Sequence, residues 1–384
     1  MEGKKRVAVI FGGQSSEHEV SRVSAESIIR NINRDKFDVV MIGITKDGRW
    51  LTYDGPVDKI GSGEWQAIAE AKALSGSAEV KKLAVPMNTE ACETALAGAS
   101  AGNIFEAAGV DKGKSAIDVV FPVLHGCNGE DGTIQGLLEL AGIPYVGCGV
   151  LGSALGMDKA YAKIIFEKAG IPQGRYLVFN RKQIKQDRES IIDQVEKTFT
   201  YPCFVKPSNA GSSVGISKAH DRGELIDALE LAAKYDRRIL VEEFIDGREI
   251  ECAVLGNDDP IASTVGEIIP GNEFYDYNAK YLDDNSKAVI PADLPESTIR
   301  TIREYAIRAF KALDCSGLSR VDFFVHKETG EIYINEINTL PGFTSISMYP
   351  QLWEASGIPY GELIERLIDL AIERFEDNKR EFDQ

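Results

Sequence analysis

The chain has no C-x-x-C pair, no apolar run long enough to cross a bilayer and no surplus of basic residues. Cys92, Cys127, Cys148, Cys203, Cys252 and Cys315 are scattered, a spacing that speaks against a zinc site or a disulfide framework and predicts buried thiols. The first apolar run, residues 7–11, is too short for the core of a secretion signal, so the chain reads as cytoplasmic, with no membrane partner. Against 43 Lys and Arg stand 60 Asp and Glu, a formal net charge of −17. That balance argues against nucleic acid, because binding a phosphate backbone needs a basic surface. Two nucleotide signatures are also missing: there is no G-x-x-x-x-G-K-[ST], and no G-x-G-x-x-G follows the first apolar run. Any anionic nucleotide must be held by a few local lysines working against the overall field.

What is present is a globular composition, 43% hydrophobic and 27% charged, over 384 residues, too many for one ordinary core. Three units are expected, 1–147, 148–245 and 246–384. In the first, residues 7–11, 39–44, 117–124 and 143–147 have the unbroken apolar character of strands buried on both faces, as in the parallel sheet of an α/β fold. Gly12 and Gly13 end the first strand, and a serine-capped helix from about 16 to 32 follows. Residues 61–114 show no clear period and read as helices and loops covering the sheet. The second unit should hold an amphipathic helix over 154–168, stopped by Gly170-Ile171-Pro172. A strand over 201–206, a Gly/Ser loop at 208–217, a helix over 222–235 and a strand over 239–245 complete it. The third should open with a strand over 249–255, contain a hairpin over 318–337 and close with a helix over 360–375.

The hairpin has the sharpest chemistry. By the period of two, Arg320 and Asp322 share one face of its first strand, and Glu336 and Asn338 share one face of the second. A turn centred on Thr329, with Gly330 supplying a positive φ, puts Asp322 opposite Glu336. Opposed carboxylates repel, and a cation is the natural remedy; oxygen-only donors suit Mg²⁺ shared with a nucleotide's phosphates. The bland reading is an exposed acidic hairpin. Lys206, at a strand end before the small-residue loop Ser208-Asn209-Ala210-Gly211-Ser212-Ser213-Val214-Gly215, offers charge and backbone N–H groups to phosphate, although taken alone the loop reads equally well as a plain surface turn. Lys159 opens a helix, where a lysine gains nothing from the dipole and a phosphate partner would explain it. The run Val241-Glu242-Glu243-Phe244-Ile245-Asp246-Gly247-Arg248-Glu249 sets acids beside apolar residues; it could meet adenine and ribose, or be solvated interdomain surface. His125 follows an apolar strand, and a lone histidine there is more often structural than catalytic.

Five motifs follow in order: Gly12-Gly13-Gln14-Ser15-Ser16-Glu17-His18-Glu19-Val20-Ser21; His125-Gly126-Cys127-Asn128-Gly129-Glu130-Asp131-Gly132; the Lys206 loop; Tyr275-Asp276-Tyr277-Asn278-Ala279-Lys280-Tyr281; and Asn335-Glu336-Ile337-Asn338-Thr339-Leu340-Pro341-Gly342-Phe343-Thr344-Ser345. Together they resemble the D-alanine–D-alanine ligases, over about residues 5–375. The resemblance implies an ATP-grasp fold with an N-terminal parallel-sheet domain, in which two domains sandwich ATP. It implies that one D-alanine carboxylate attacks the γ-phosphate and that the amine of a second D-alanine displaces phosphate from the acyl phosphate.

By motif match, Lys159, Lys206 and Ser213 would hold phosphates and Lys280 would approach the γ-phosphate. Glu242, Phe244 and Ile245 would meet adenine, and Glu249 the ribose. Asp322, Glu336 and Asn338 would bind two Mg²⁺ ions, for which Mn²⁺ can stand in. Glu17 would hold the first D-alanine's ammonium, with His125 nearby. Arg320 and the Gly342 N–H would form an oxyanion hole. Ser345 or, better, Ser347 would grip the second carboxylate. Glu17, Ser212 and Tyr281 would form a hydrogen-bonded set pinning a loop at about 272–288 over the site. Lys280-Tyr281 and Met348 imply D-alanine as second substrate, since relatives using D-lactate or D-serine differ there; those acceptors are the nearest alternative. The resemblance also implies a homodimer. A nucleotide sensor without chemistry would not need Arg320 in an oxyanion hole, and a dinucleotide oxidoreductase would need the missing glycine fingerprint.

Overall fold

A computed structural model describes residues 3–75, 117–211, 214–269 and 287–380. Its first sheet is built from β1 (Lys5–Gly12), β2 (Phe37–Ile44), β3 (Trp50–Tyr53) and β4 (Val119–Val123), in the order β3-β2-β1-β4. β1 pairs in parallel with β2 and β4, and every residue of β1 after Lys5 is buried, as its apolar run predicts. β3, which lacks such a run, is antiparallel to β2. Residues 143–147 do not form the expected strand. Val120 bridges to Tyr145 in parallel and exchanges bonds with Pro144 O and the Val146 N–H, but Pro144 has no N–H to extend the ladder.

The helix after β1 spans His18–Asn31, and the expected serine cap is absent. Glu17 occupies the N-cap without a side-chain cap bond, while Ser15 Oγ accepts the Glu17 N–H at 3.1 Å. Gly12, at φ +90°, is where the chain turns into this helix; a Cβ there would lie 2.2 Å from Ile44 O. The Glu17 carboxylate comes to lie against Gly126, in the turn that follows β4.

The second sheet comprises β5 (Tyr176–Asn180), β6 (Cys203–Pro207), β7 (Ser217–Ala219) and β8 (Arg238–Glu243), ordered β5-β8-β6-β7 and antiparallel throughout. The helix Arg222–Tyr235 packs on it, with Leu225, Leu229, Val205 and Val241 in a shared core. The third sheet is antiparallel too: β9 (Gly247–Gly256), β10 (Ile261–Ile269), β11 (Lys287–Val289), β12 (Gly317–His326) and β13 (Ile332–Asn338), ordered β11-β10-β9-β12-β13. The helix Glu296–Ala312 contributes Ile302, Ala306 and Phe310 to one core with Val321, Phe323 and Val325. The helices Met348–Ala355 and Tyr360–Asp377 share another with β1, β4 and β9, which joins the third sheet to the first.

Two further expectations are corrected. Residues 154–168 are not one helix but two, Val150–Met157 and Lys159–Lys168, broken at Asp158. Asp158 adopts an extended conformation and its carboxylate caps the second helix through the Tyr161 N–H at 3.3 Å, a local bond that competes with helix continuation. Among the cysteines, Cys148, Cys203, Cys252 and Cys315 are buried thiols, but Cys127 is exposed in the glycine-rich turn after His125; Cys92 lies outside the described residues.

The hairpin register is the expected one by a different route. Near the turn, Val325 pairs with Ile332, one step short of a turn centred on Thr329. A bulge at Asn335 then adds the missing residue, so Asp322 faces Glu336 and Arg320 faces Asn338; Gly330 has φ +71°.

Candidate active site

Between the second and third sheets lies a set of buried lysines and acids. Glu242, on β8, is held by Lys163 Nζ at 2.6 Å on one oxygen and by Lys206 Nζ at 2.6 Å on the other. Burial alone would raise the Glu242 carboxyl, but Lys163 and Lys206 hold it down to about 2. Burial alone would lower the Lys206 ammonium, and here Glu242, then Glu336, outweigh it, so Lys206 is raised. Lys206 Nζ also donates to Asn335 Oδ1 at 3.3 Å, so the bulged residue ties the two sheets together.

Lys159 and Lys163 are four residues apart on one helix and face the same way. Lys159 Nζ donates to Ala210 O at 2.9 Å and pairs with Glu336 at 3.3 Å. The break at Asp158 fixes where that helix starts: the carboxylate also accepts from Ser208 Oγ at 2.7 Å and pairs with Arg238. One buried acid thus anchors Lys159 beside the loop after β6.

On the third sheet, three carboxylates stand in a row across adjacent strands, Glu251 on β9, Asp322 on β12 and Glu336 on β13. Arg320 Nε and one of its terminal nitrogens donate to the two Asp322 oxygens at 2.8 and 2.7 Å, and Nε lies 3.1 Å from Glu251 Oε2. The guanidinium is 16% exposed, and its proton affinity is raised, burial being outweighed by Asp322 and Glu251. Asn338 Oδ1 accepts the Leu340 N–H at 3.0 Å, which leaves it a second lone pair. Among the described residues no three acids, histidines or cysteines converge on one point. The donor set is two opposed carboxylates and a carboxamide, hard oxygens that fit Mg²⁺ completed by phosphate and water.

The first sheet contributes Glu17, which is 5% exposed. A Cβ on Gly126 would come within 2.4 Å of its carboxylate and one on Gly211 within 2.7 Å, so both glycines let backbone close around it. His125 is buried, with Nε2 3.1 Å from Ser24 Oγ and Nδ1 3.0 Å from Leu340 O and 3.6 Å from Glu130. Burial lowers the imidazole and Glu130, then Glu17, raise it further, so it sits above its ordinary value. Ser24 Oγ in turn accepts the Phe343 N–H at 3.2 Å, which holds the Gly342 segment against the helix His18–Asn31. Ser347 Oγ lies 2.8 Å from Thr344 Oγ1 and accepts the Thr344 N–H at 3.0 Å, and a Cβ on Gly342 would meet it at 3.0 Å. Ser345 is exposed.

Phe244 and Ile245 fall just beyond β8. Phe244 is 39% exposed, its ring 6.3 Å from Phe204 and under Lys218 Nζ at 4.5 Å; Ile245 packs on Gly174. Glu249, on β9, is close enough to act on Lys206. Ser212, Ser213, Lys280 and Tyr281 lie outside the described residues. Sequence reasoning missed Lys163, Glu251, Asn335 and Glu130. Lys163 carried a signal, its i,i+4 spacing from Lys159; the others meet their partners only through sheet pairing and loop packing.

Two antiparallel sheets closing on a lysine-lined seam, joined to a parallel-sheet domain that supplies a buried acid, define an ATP-grasp ligase. A family model for the D-ala D-ala ligase N-terminus matches residues 6–148, and one for the D-ala D-ala ligase C-terminus matches residues 165–369. A D-alanine–D-alanine ligase of Acetivibrio thermocellus is 68% identical over 384 residues, all of both chains. One from Ruminiclostridium cellulolyticum is 67% identical, over 99% of this chain and 98% of its own. Among solved structures, the VanG D-Ala:D-Ser ligase from Enterococcus faecalis is 40% identical with a TM-score of 0.78, covering 96% of this chain and 100% of its own. The D-alanine–D-alanine ligase from Coxiella burnetii is 34% identical with a TM-score of 0.78, covering 97% and 95%. The chain belongs to the D-alanine–D-alanine ligase family, and the ATP use that the ATP-grasp fold implies follows from that membership. Among the described residues no helix is long and apolar enough to cross a membrane.

Proposed function

We infer that the protein joins two molecules of D-alanine into D-alanyl-D-alanine at the expense of ATP, for peptidoglycan precursor synthesis. The observation that carries this reading is the meeting of two largely covered lysines, Lys159 paired with Glu336 and Lys206 with Glu242, at the Asp322–Glu336 pair beside Arg320. A phosphate chain entering the seam would take the ammonium groups that Glu336 and Glu242 now hold. Lys159, Lys206, Ser213 and Lys280 would grip the phosphates. Glu242, Phe244, Ile245 and Glu249 would receive the adenosine, Phe244 offering an exposed ring face.

Asp322, Glu336 and Asn338 would hold two Mg²⁺ ions, or Mn²⁺, which neutralise the charge of the transferring phosphate when bound. Glu17, closed in by Gly126 and Gly211, would fix the ammonium of the first D-alanine with His125 behind it. Its carboxylate would then lie toward the γ-phosphate, and attack there gives D-alanyl phosphate and ADP. Ser347, with Ser345 beside it, would orient the second D-alanine by its carboxylate. Arg320 and the Gly342 N–H would receive the oxyanion that forms when the second amine adds to the acyl phosphate. Ser212 and Tyr281 would complete a hydrogen-bonded set with Glu17 that keeps water from that intermediate. The division at 147 and 245, a homodimer and a cytoplasmic location belong to the same reading.

D-Alanine as acceptor is supported by Met348, buried against Gly266, where a charged side chain would have no water. The test is incubation with ATP, Mg²⁺ and D-alanine: dipeptide and phosphate should appear in equal amounts. Phosphate without dipeptide, or efficient coupling only with D-serine or D-lactate, would overturn the assignment.

A further inference from the structure

Arg320 lies between two carboxylates, and its two hydrogen bonds both go to Asp322. Both Asp322 oxygens are occupied by the guanidinium, at 2.8 and 2.7 Å. Glu251 sits opposite Asp322 on the neighbouring strand, 8% exposed, with Oε2 3.1 Å from the same Arg320 Nε. On the other side Asp322 faces Glu336. A divalent cation drawn to Asp322 and Glu336 therefore competes with Arg320 for the Asp322 oxygens. An arginine released there, in a site largely closed to water, needs another carboxylate at once. Glu251 is already within reach, 3.1 Å from Nε.

We propose that Glu251 is a positioning residue: it takes over the Arg320 guanidinium when a cation engages Asp322, and so keeps Arg320 where the oxyanion forms. This rests on the ligase reading of Arg320 and of the Asp322–Glu336 pair. A glutamate that acted on the cation only through its own charge would change binding at Asp322 equally with or without Arg320.

The experiment titrates the full-length, nucleotide-free protein with Mn²⁺ and reads free Mn²⁺ by electron paramagnetic resonance. Glu251→Gln should weaken binding by about tenfold, and by no more than about twofold in an Arg320→Met background, where nothing has to be handed over. Glu251→Asp, which keeps the charge but shortens the reach, should cost about threefold and serves if the glutamine variant does not fold. Dipeptide synthesis should lose kcat in Glu251→Gln while the KM for ATP stays near that of the unaltered protein. Equal weakening in both backgrounds, or unaltered affinity in Glu251→Gln or Glu251→Asp, overturns the proposal. An unaltered protein that fails to bind Mn²⁺ would instead bring down the reading of the Asp322–Glu336 pair, and this inference with it.

Discussion

Replacing Glu242 by glutamine keeps the side-chain size and removes the carboxylate that lies between Lys163 and Lys206. Both lysine charges are then left covered without a carboxylate, Lys206 keeping only the Asn335 carboxamide and the new one to share with Lys163, a geometry in which removing one partner costs far more than the pair is worth. The magnitude follows from the Glu242 carboxyl, held down from 4.5 to about 2. At 1.36 kcal/mol per tenfold in acidity, that depression amounts to about 3 kcal/mol of stability. The melting temperature at pH 7 should therefore drop by roughly 5–10 °C. The sign of the pH dependence is set by the depressed folded value. The contribution is complete above 4.5, the ordinary carboxyl value, and is lost as pH falls toward about 2. Scanning calorimetry at pH 7, 5, 4 and 3 should show a constant gap between the two proteins down to pH 5 that narrows below it. ATP should also bind the variant more weakly, since Lys206 loses the partner that orients it. A glutamine variant that melts with the unaltered protein at pH 7, or a gap as wide at pH 3 as at pH 7, would refute the reasoning.

Further outcomes follow from the same geometry. Glu336→Gln should nearly abolish turnover with melting unchanged; full activity with unchanged magnesium dependence would remove the cation role of the hairpin. Arg320→Met should lower kcat by about 10²–10³, the usual cost of a lost oxyanion donor, as measured by phosphate release. Asp158→Ala should cost about 1–3 kcal/mol in denaturant titration, because a helix cap and a buried pair with Arg238 go together, and should raise the KM for ATP. His125→Gln keeps the size and cannot charge. Because the folded imidazole sits above 6.5, its extra stability is present below that pH and lost as pH rises through the folded value. The denaturant midpoint of His125→Gln should therefore fall short of the unaltered protein's by more at pH 6 than at pH 9.

Where local rules decide the structure, they were readable in advance. The period of two set Arg320 with Asp322 and Glu336 with Asn338, and the glycine at 330 marked the turn. The strands at β1, β2 and β4 followed from unbroken apolar runs, and the helix Arg222–Tyr235 from its pattern. Where two local signals compete, the weaker was overlooked. An apolar pattern over 154–168 hid the capping aspartate that breaks it, and Pro144 inside an apolar run stopped a strand. The candidate site was legible in its motif residues and not in their partners. Nothing near Glu242 in the chain points to Lys163, 79 positions away, and Glu251 acquires its meaning only when β9 pairs with β12.

Carboxyl-labelled D-[¹⁸O]alanine puts the central claim to the most direct test. If one carboxylate attacks the γ-phosphate and the second amine displaces phosphate, an oxygen of D-alanine must leave with that phosphate. Mass spectrometry should find one ¹⁸O in the inorganic phosphate for each D-alanyl-D-alanine formed. Unlabelled phosphate released alongside the dipeptide would contradict the acyl phosphate, and labelled alanine recovered without any dipeptide would contradict the ligase itself.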